Sequence, residues 1–440
     1  MDKTASARSG HSLPPSLWAD TAPAFPAQPA LSGAARCDVA IIGGGFTGLR
    51  CALALAEAGV SVRVLEARDI GYGASGRSGG QVNPILRKTV EAVRLEVGPR
   101  IGDTLVRLTL SSATDLFRDI EHYGIDCDPV QKGWLQVAHS PAMLHKLQGL
   151  RDSWTAAGGD IAQLDAAEVQ DWSGAQGYVG GLYHPTAGHV QPLSLVRGLA
   201  RAALVRGAVI HERSPITTLD RAEGGRWHLA TATGGQLSAE RVVLATNGYT
   251  DRLWPGLRAT ILPFVSIQAA TEPLTPAQRA AILPRGTTIA DTRRSIIYGR
   301  YDRDFRLSIG CMGSFPENPE ALGAFGRLRR GVERTFPALR GIAWERKWGG
   351  YIALTTDALP HLHEPAPGLY IGLGFNGRGV AMASVMGRAL AAALLGVDRA
   401  DLPFPVTPLK AVPLHRLLNA ILPAAPPLMA LADRLDNWRG

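Results

Sequence analysis

Residues 38–66 read DVAIIGGGFTGLRCALALAEAGVSVRVLE. This is an apolar run, a glycine cluster, apolar residues at helical spacing, a second apolar run and a terminal acid. The pattern predicts a buried strand, a tight turn, a helix and a second strand. Helical spacing returns at residues 88–123, 141–157, 193–206 and 380–395, the last of these rich in small residues. Strand-like segments are expected at 132–139, 208–211, 227–233, 236–238, 241–246, 295–300, 305–310 and 369–372. Gly224-Gly225 and Gly234-Gly235 mark hairpin turns between the short ones. A meander of this kind leading into the buried strand 241–246 is the usual crossover of a dinucleotide-binding sheet, so the first unit is expected to be completed by distant pieces of chain. The resulting division is an arm (1–36), a nucleotide-binding domain in three parts (37–87, 191–253, 345–402), a second domain in two parts (88–190, 254–344) and a proline-punctuated tail (403–440). Trp18 and Phe25 are candidate anchors for the arm.

Composition narrows the classes. The chain has 440 residues, 46% of them hydrophobic and 19% charged, as in a globular protein with a large core. The net charge of +8 is scattered, without a basic run, which argues against nucleic acid and leaves room for an anionic substrate or surface. The four cysteines (Cys37, Cys51, Cys127, Cys311) are far apart. They form neither a disulfide framework nor a zinc pattern, and they fit a reducing cytoplasm. His361 and His363 lack the companions of a metal site, so no metal is expected. The N-terminal stretch lacks the apolar core of a signal peptide, and no segment reaches the roughly 18 apolar residues of a spanning helix. The tail leucines Leu414, Leu417 and Leu418, with Ile421 and Arg416, suit packing on their own domain better than peripheral contact with a membrane or partner.

Gly43, Gly45 and Gly48 fit G-x-G-x-x-G. One glycine permits the turn, one admits a pyrophosphate and one lets helix and strand pack closely. The helix N-terminus favours phosphate. Glu66 can accept from a ribose diol and would repel a 2′-phosphate, which points to FAD or NAD rather than NADP. A second cluster, GYGASGRSGGQ at 71–81, can run along a pyrophosphate, and its N–H groups can form anion-binding nests. A third, GLGFNGRG at 372–379, enters a helix whose positive end suits the negative charge of a reduced flavin. Three such loops favour FAD over a lone nicotinamide dinucleotide.

The segments DVAIIGGGFTGLRCALALAEAG, VLEARDIGYGASGRSGGQ, VVLATNGYT, WGGYIALTTDALP and GLGFNGRGVAMASVMGRALA together resemble the FAD-dependent oxidoreductases related to D-amino-acid oxidase and sarcosine oxidase. The nearest branch is the gamma-glutamylputrescine oxidase-like one, and the likeness covers residues 16–408. It implies an α/β, Rossmann-like FAD-binding domain interleaved with a sheet-rich α+β substrate domain. It also implies FAD contacts at Gly43, Gly45, Gly48, Glu66, Ser75, Gly76, Gln81, Ala245 and Gly379. Their neighbours Phe46, Thr47, Ala67, Arg68, Gly73, Ala74, Arg77, Gly80, Thr246, Asn247, Gly374, Phe375, Asn376, Gly377 and Val380 complete the expected set. Ser78 departs from the family's usual asparagine. No cysteine lies in 349–354, where some relatives attach FAD, so the FAD is expected to be non-covalent. The position matched to those relatives' oxygen-activating lysine lies near Ser308, which puts fast reaction with oxygen in question.

The implied activity is oxidation of a C–N bond in a small amine or amino acid by hydride transfer to flavin N5, with hydrolysis of the imine. Electrons then pass to oxygen or another acceptor. Tyr298 and Arg300, two apart on one strand, are expected to share a face, and Arg300 is a candidate partner for a substrate carboxylate. The competing readings are an NAD-dependent dehydrogenase and a non-catalytic flavin-bearing subunit.

Overall fold

The structure is a computed structural model describing residues 13–314, 317–424, 426 and 429. Residues 1–12 of the expected arm and nearly all of the tail beyond 424 lie outside the described residues. Two large sheets organise the chain. In the first, Ala34–Ile42 lies between Val62–Leu65 and Gln236–Leu244, parallel to both. Val209–His211 extends one side, and Leu369–Leu373, His361–Ala366 and Val406–Thr407 extend the other. Parallel strands buried on both faces must be apolar throughout, and the run Val39–Ile42 shows why. Val39 and Ile41 pack with Leu49, Val64 and Met386 beneath the helices Phe46–Glu57, Pro192–Val205 and Gly379–Leu394. Ala40 and Ile42 pack with Leu65, Trp227 and Leu244 on the opposite face, beside the meander Ile216–Arg221 and Trp227–Thr231.

The second sheet runs Trp344–Leu354, Leu262–Pro273, Arg306–Met312, Tyr298–Tyr301, Thr288–Asp291, Trp134–Ala138, Gly180–His184, Ala162–Leu164. It draws on both parts of the expected second domain. The segment Trp344–Leu354, assigned by sequence to the nucleotide-binding half from residue 345, belongs here instead. It pairs with Leu262–Pro273 along its whole length, from Leu262↔Leu354 to Thr271↔Trp344, while the place beside Gln236–Leu244 is taken by Leu369–Leu373. The expected strands 236–238 and 241–246 are one, Gln236–Leu244. Its first half lies between Trp227–Thr231, antiparallel, and the start of Ala34–Ile42, parallel, and its second half continues in the parallel core.

The arm is anchored by a short helix, Leu17–Thr21, capped by Ser16. Trp18 is fully buried and Phe25 packs at the core's edge under Arg201. In the tail, the helix His415–Ile421 is tied down through His415 Nε2 on Ile261 O at 3.0 Å. Leu414, Leu417 and Ile421 are exposed, so packing on the parent domain holds for only part of that segment. No helix among the described residues is long and apolar enough to cross a membrane.

Candidate active site

The carboxyl ends of the parallel strands and one face of the second sheet enclose a cavity of about 560 Å³. Crevices at strand ends are where open α/β sheets place ligands. At one end the walls are backbone. Gly43 (φ 114°) has no room for a side chain, because a Cβ would stand 2.8 Å from Ala245 O. At Gly48 a Cβ would stand 2.1 Å from Gly43 O, so glycine is what lets the helix approach the strand. Gly45 caps Phe46–Glu57 without a side-chain bond, leaving the first turn facing the cavity. Phe46 N–H donates to Ser75 Oγ at 3.0 Å, which ties the second loop to the helix start. Glu66 accepts from Gly44 N–H at 2.8 Å and Arg68 N–H at 3.0 Å. Burial pushes its pKa up against these two bonds, and the nearby Glu212 carboxylate adds to the rise.

At the other end the walls are side chains. Arg77 donates to Tyr72 O (2.7 Å) and Gly349 O (3.2 Å), pairs with Glu317 at 2.9 Å, and lies over the Tyr72 and Tyr249 rings. Tyr249 donates to Glu317 at 2.8 Å. Tyr298 shares a short hydrogen bond with Ser266, and burial raises the pKa of its hydroxyl. Ala290, Cys311, Met312 and Tyr351 complete this wall. Of the four cysteines, Cys311 is the one on the cavity, and burial lifts its pKa to about 12.

Two arginines, Arg87 and Arg378, also line the cavity. Arg87 Nε donates to Asn376 O at 3.1 Å. The Arg378 guanidinium lies 4.6 Å above the Trp134 ring, which itself stacks on His184. Burial, with the like charge of Arg87 as a smaller contribution, lowers the Arg378 pKa to about 9. Among the described residues neither arginine pairs with a carboxylate, and Arg378 Nε is buried without a partner.

Most of the residues singled out by sequence face this cavity. Gly43, Gly45, Phe46, Thr47, Glu66, Ala67, Arg68, Gly73, Ala74, Ser75, Arg77, Gly80, Gln81, Ala245, Thr246, Asn247, Phe375, Gly377, Gly379, Val380 and Tyr298 all line it. Gly48 and Gly76 stand behind it. At Gly76 a Cβ would meet Gly71 O at 2.1 Å. Gly374 and Asn376 brace the third loop: Gly374 N–H donates to Asn247 Oδ1, and Asn376 exchanges bonds with Thr355, each at 2.9 Å.

Arg300 is a correction. It shares a face with Tyr298, as their spacing requires, since Tyr298 stands over Gly79 and Arg300 over Gly80. Its guanidinium, however, is fully buried on Gly79 O (2.9 Å), Tyr301 O (2.8 Å) and Val190 O (2.7 Å). Three of its five donors are taken by these carbonyls, and the side chain does not line the cavity, so it is not placed to meet a carboxylate there. Sequence reasoning did not single out Asn83, Arg87, Ser266, Glu317, Tyr351 or Arg378. Arg378 lies inside the GLGFNGRG motif and Tyr351 inside WGGYIALTTDALP, but the others carried no local signal. His361 pairs with Asp357 at 2.9 Å, His363 Nδ1 reaches Thr407 O at 2.9 Å, and no group among the described residues could hold a metal ion.

FAD fits this donor set. The glycine turn and uncapped helix start suit a pyrophosphate, Glu66 suits a ribose, and the cavity continues past the second loop to the third, farther than a nicotinamide dinucleotide requires.

Comparison with known proteins agrees. A family model described as FAD dependent oxidoreductase matches residues 38–393. The probable oxidoreductase OrdL of Haemophilus influenzae is 33% identical over 84% of this chain and 85% of its own. The gamma-glutamylputrescine oxidoreductase of Escherichia coli is 30% identical over 87% and 88%. The crystal structure of glycine oxidase from Geobacillus kaustophilus superposes with a TM-score of 0.72 at 24% identity, covering 84% of this chain and 98% of that one, and so shares the fold.

Proposed function

The chain belongs to the FAD dependent oxidoreductase family, and from that premise we propose that it oxidises the C–N bond of a small amine that also carries an acid group. One observation carries the second half of this reading: two cavity arginines, Arg87 and Arg378, stand together without a carboxylate partner among the described residues. A buried charge such as Arg378, set beside the like charge of Arg87, is costly unless an anion joins them. A guanidinium presents its donors as a fork that matches a carboxylate. Of the acids lining the cavity, Glu317 is paired with Arg77 and Tyr249, and neither Glu66 nor Asp251 pairs with Arg87 or Arg378 among the described residues, so the anion would come with the substrate.

The backbone-walled end, Gly43–Phe46 with Glu66 and Ser75, would hold the adenosine and pyrophosphate. The loop around Arg77–Gln81, Tyr298 and the third loop would surround the ring. FAD held there would supply the two-electron oxidant for the carbon beside a neutral amine nitrogen, and the imine so formed would be hydrolysed by water. The chain's own task is to orient that carbon through the arginine pair and to exclude bulk water with the apolar wall of Ala290, Ile296 and Met312. The high Cys311 pKa keeps the thiol protonated and a poor nucleophile, in keeping with non-covalent FAD. The four buried free cysteines suit a reducing cytoplasm.

The test is anaerobic bleaching of the purified yellow protein by a panel of amines, with peroxide measured in parallel to identify the acceptor. Gamma-glutamyl amines lead the panel because they carry both groups. Acid-bearing amines should bleach the flavin, and the same amines amidated at the acid should do so poorly. Failure of every acid-bearing amine would sink the reading.

A further inference from the structure

The arm ahead of residue 38, where the family match begins, reaches the cavity from behind. Trp18, fully buried and absent from the cavity wall, donates its indole N–H to Ser78 O at 2.9 Å. Arg300 donates Nε to Gly79 O at 2.9 Å and lies 4.2 Å over the Trp18 ring. Trp348, edge-on to Trp18 at 5.5 Å, donates to Arg77 O at 2.9 Å. Three successive carbonyls are therefore drawn to one side by three buried donors.

A peptide unit is planar and trans, so each C=O opposes the N–H of the next residue. With Ser78 O and Gly79 O pulled away from the cavity, the N–H groups of Gly79 and Gly80 point into it. Their state agrees. Gly79 N–H meets no acceptor among the described residues, and Gly80 N–H has only Ser78 Oγ at 3.4 Å. Gly80 (φ 70°) cannot be replaced, because a Cβ would lie 2.1 Å from Val190 O. Orphan buried donors carry a cost unless a ligand accepts from them. The arm is held for this task from outside as well: Gln191 Nε2 donates to Trp18 O at 3.0 Å, and Arg197 to Pro23 O at 2.7 Å.

We propose that Trp18 and Arg300 are positioning residues that keep the Gly79 and Gly80 amides aimed into the cavity, where the two dipoles stabilise negative charge on the reduced flavin. The proposal rests on the FAD reading of the cavity. Preorganised amides of this kind act without reorganising when the charge appears. Rotating the peptide units would cost that stabilisation without emptying the site.

Trp18→Phe keeps an aromatic side chain but removes the indole N–H together with part of the buried ring volume; Arg300→Lys keeps the charge and cannot span three carbonyls. Holoprotein of each variant is titrated with sulfite, which adds to the flavin and leaves negative charge on it. Each is also reduced anaerobically against a reference dye, and FAD affinity is measured by reconstitution. The expected result is an approximately fivefold weaker sulfite adduct with FAD affinity little changed. The midpoint potential should be lower by about 20 mV, that fold-change converted for a two-electron couple. Unchanged sulfite affinity and potential in both variants, whatever their melting temperatures, would overturn the proposal. So would an FAD affinity that falls as far as the sulfite affinity in both variants, which would place the two side chains in the fold of the site rather than on the direction of the loop amides. Neither measurement uses an amine, so the proposal and the substrate reading stand or fall separately.

Discussion

The two ends of the cavity are built differently. The end at Gly43–Glu66 is backbone: glycines that leave room, a helix start without a side-chain cap, and one carboxylate bound to neighbouring amides. The far end is side chain, gathered from Arg77, Tyr249, Ser266, Tyr298, Cys311, Tyr351 and Arg378. A backbone site tolerates almost no change, because a single methyl displaces an entire helix. A side-chain site can be rewritten one residue at a time, which is how one fold serves many substrates.

The largest expected effect breaks the first end. Gly48→Ala puts a methyl 2.1 Å from Gly43 O, an overpacking cost of about 1–3 kcal/mol, which weakens FAD binding roughly 5- to 150-fold. The flavin-to-protein ratio after gel filtration measures it. Full retention of flavin would mean that close packing does not build that end. Next comes Arg378→Leu at the far end. A lost charged hydrogen bond of about 1.5–3 kcal/mol lowers kcat/KM for acid-bearing amines by at least about tenfold, with flavin content unchanged. An equal loss for amines lacking the acid would remove the arginine pair from substrate recognition.

A smaller effect is read in pH. Burial, with the nearby charge of Arg378 as a smaller contribution, lowers the His184 pKa from 6.5 to about 3. A depressed histidine stabilises the fold fully above its unfolded value and loses that contribution as pH falls toward its folded one. Stability should therefore fall from pH 6.5 downward, by about 2 kcal/mol at pH 5 from this group. His184→Phe, which also suits ring nitrogens that have no partner, should flatten that slope in urea titrations. The smallest effect is at Cys311. Cys311→Ser should leave the flavin content unchanged, and acid precipitation should release FAD from both proteins. Flavin retained in the wild-type pellet alone would show a covalent link through Cys311.

Much of the first end was legible in the sequence, since its strand, turn, helix and acid are contiguous and each glycine answers a local need. The strand Trp344–Leu354 was misplaced because strand pairing is non-local, and no local pattern states which sheet offers a free edge. Arg300 shows the same division within one residue. Period-2 alternation placed it beside Tyr298, but only the fold reveals the carbonyls of Gly79, Val190 and Tyr301 that occupy it. The Arg87 and Arg378 pair was invisible because its members lie on different loops.

What the sequence determined by itself is what depends on neighbouring residues: the glycine turn, the helix dipole, the acid at Glu66 and the class of cofactor they can hold. The tertiary structure decided which side chains meet across the two sheets, which arginines face the cavity and which arm residue stands behind the second loop. Those contacts join residues far apart in the chain, and they exist only once packing has brought them together.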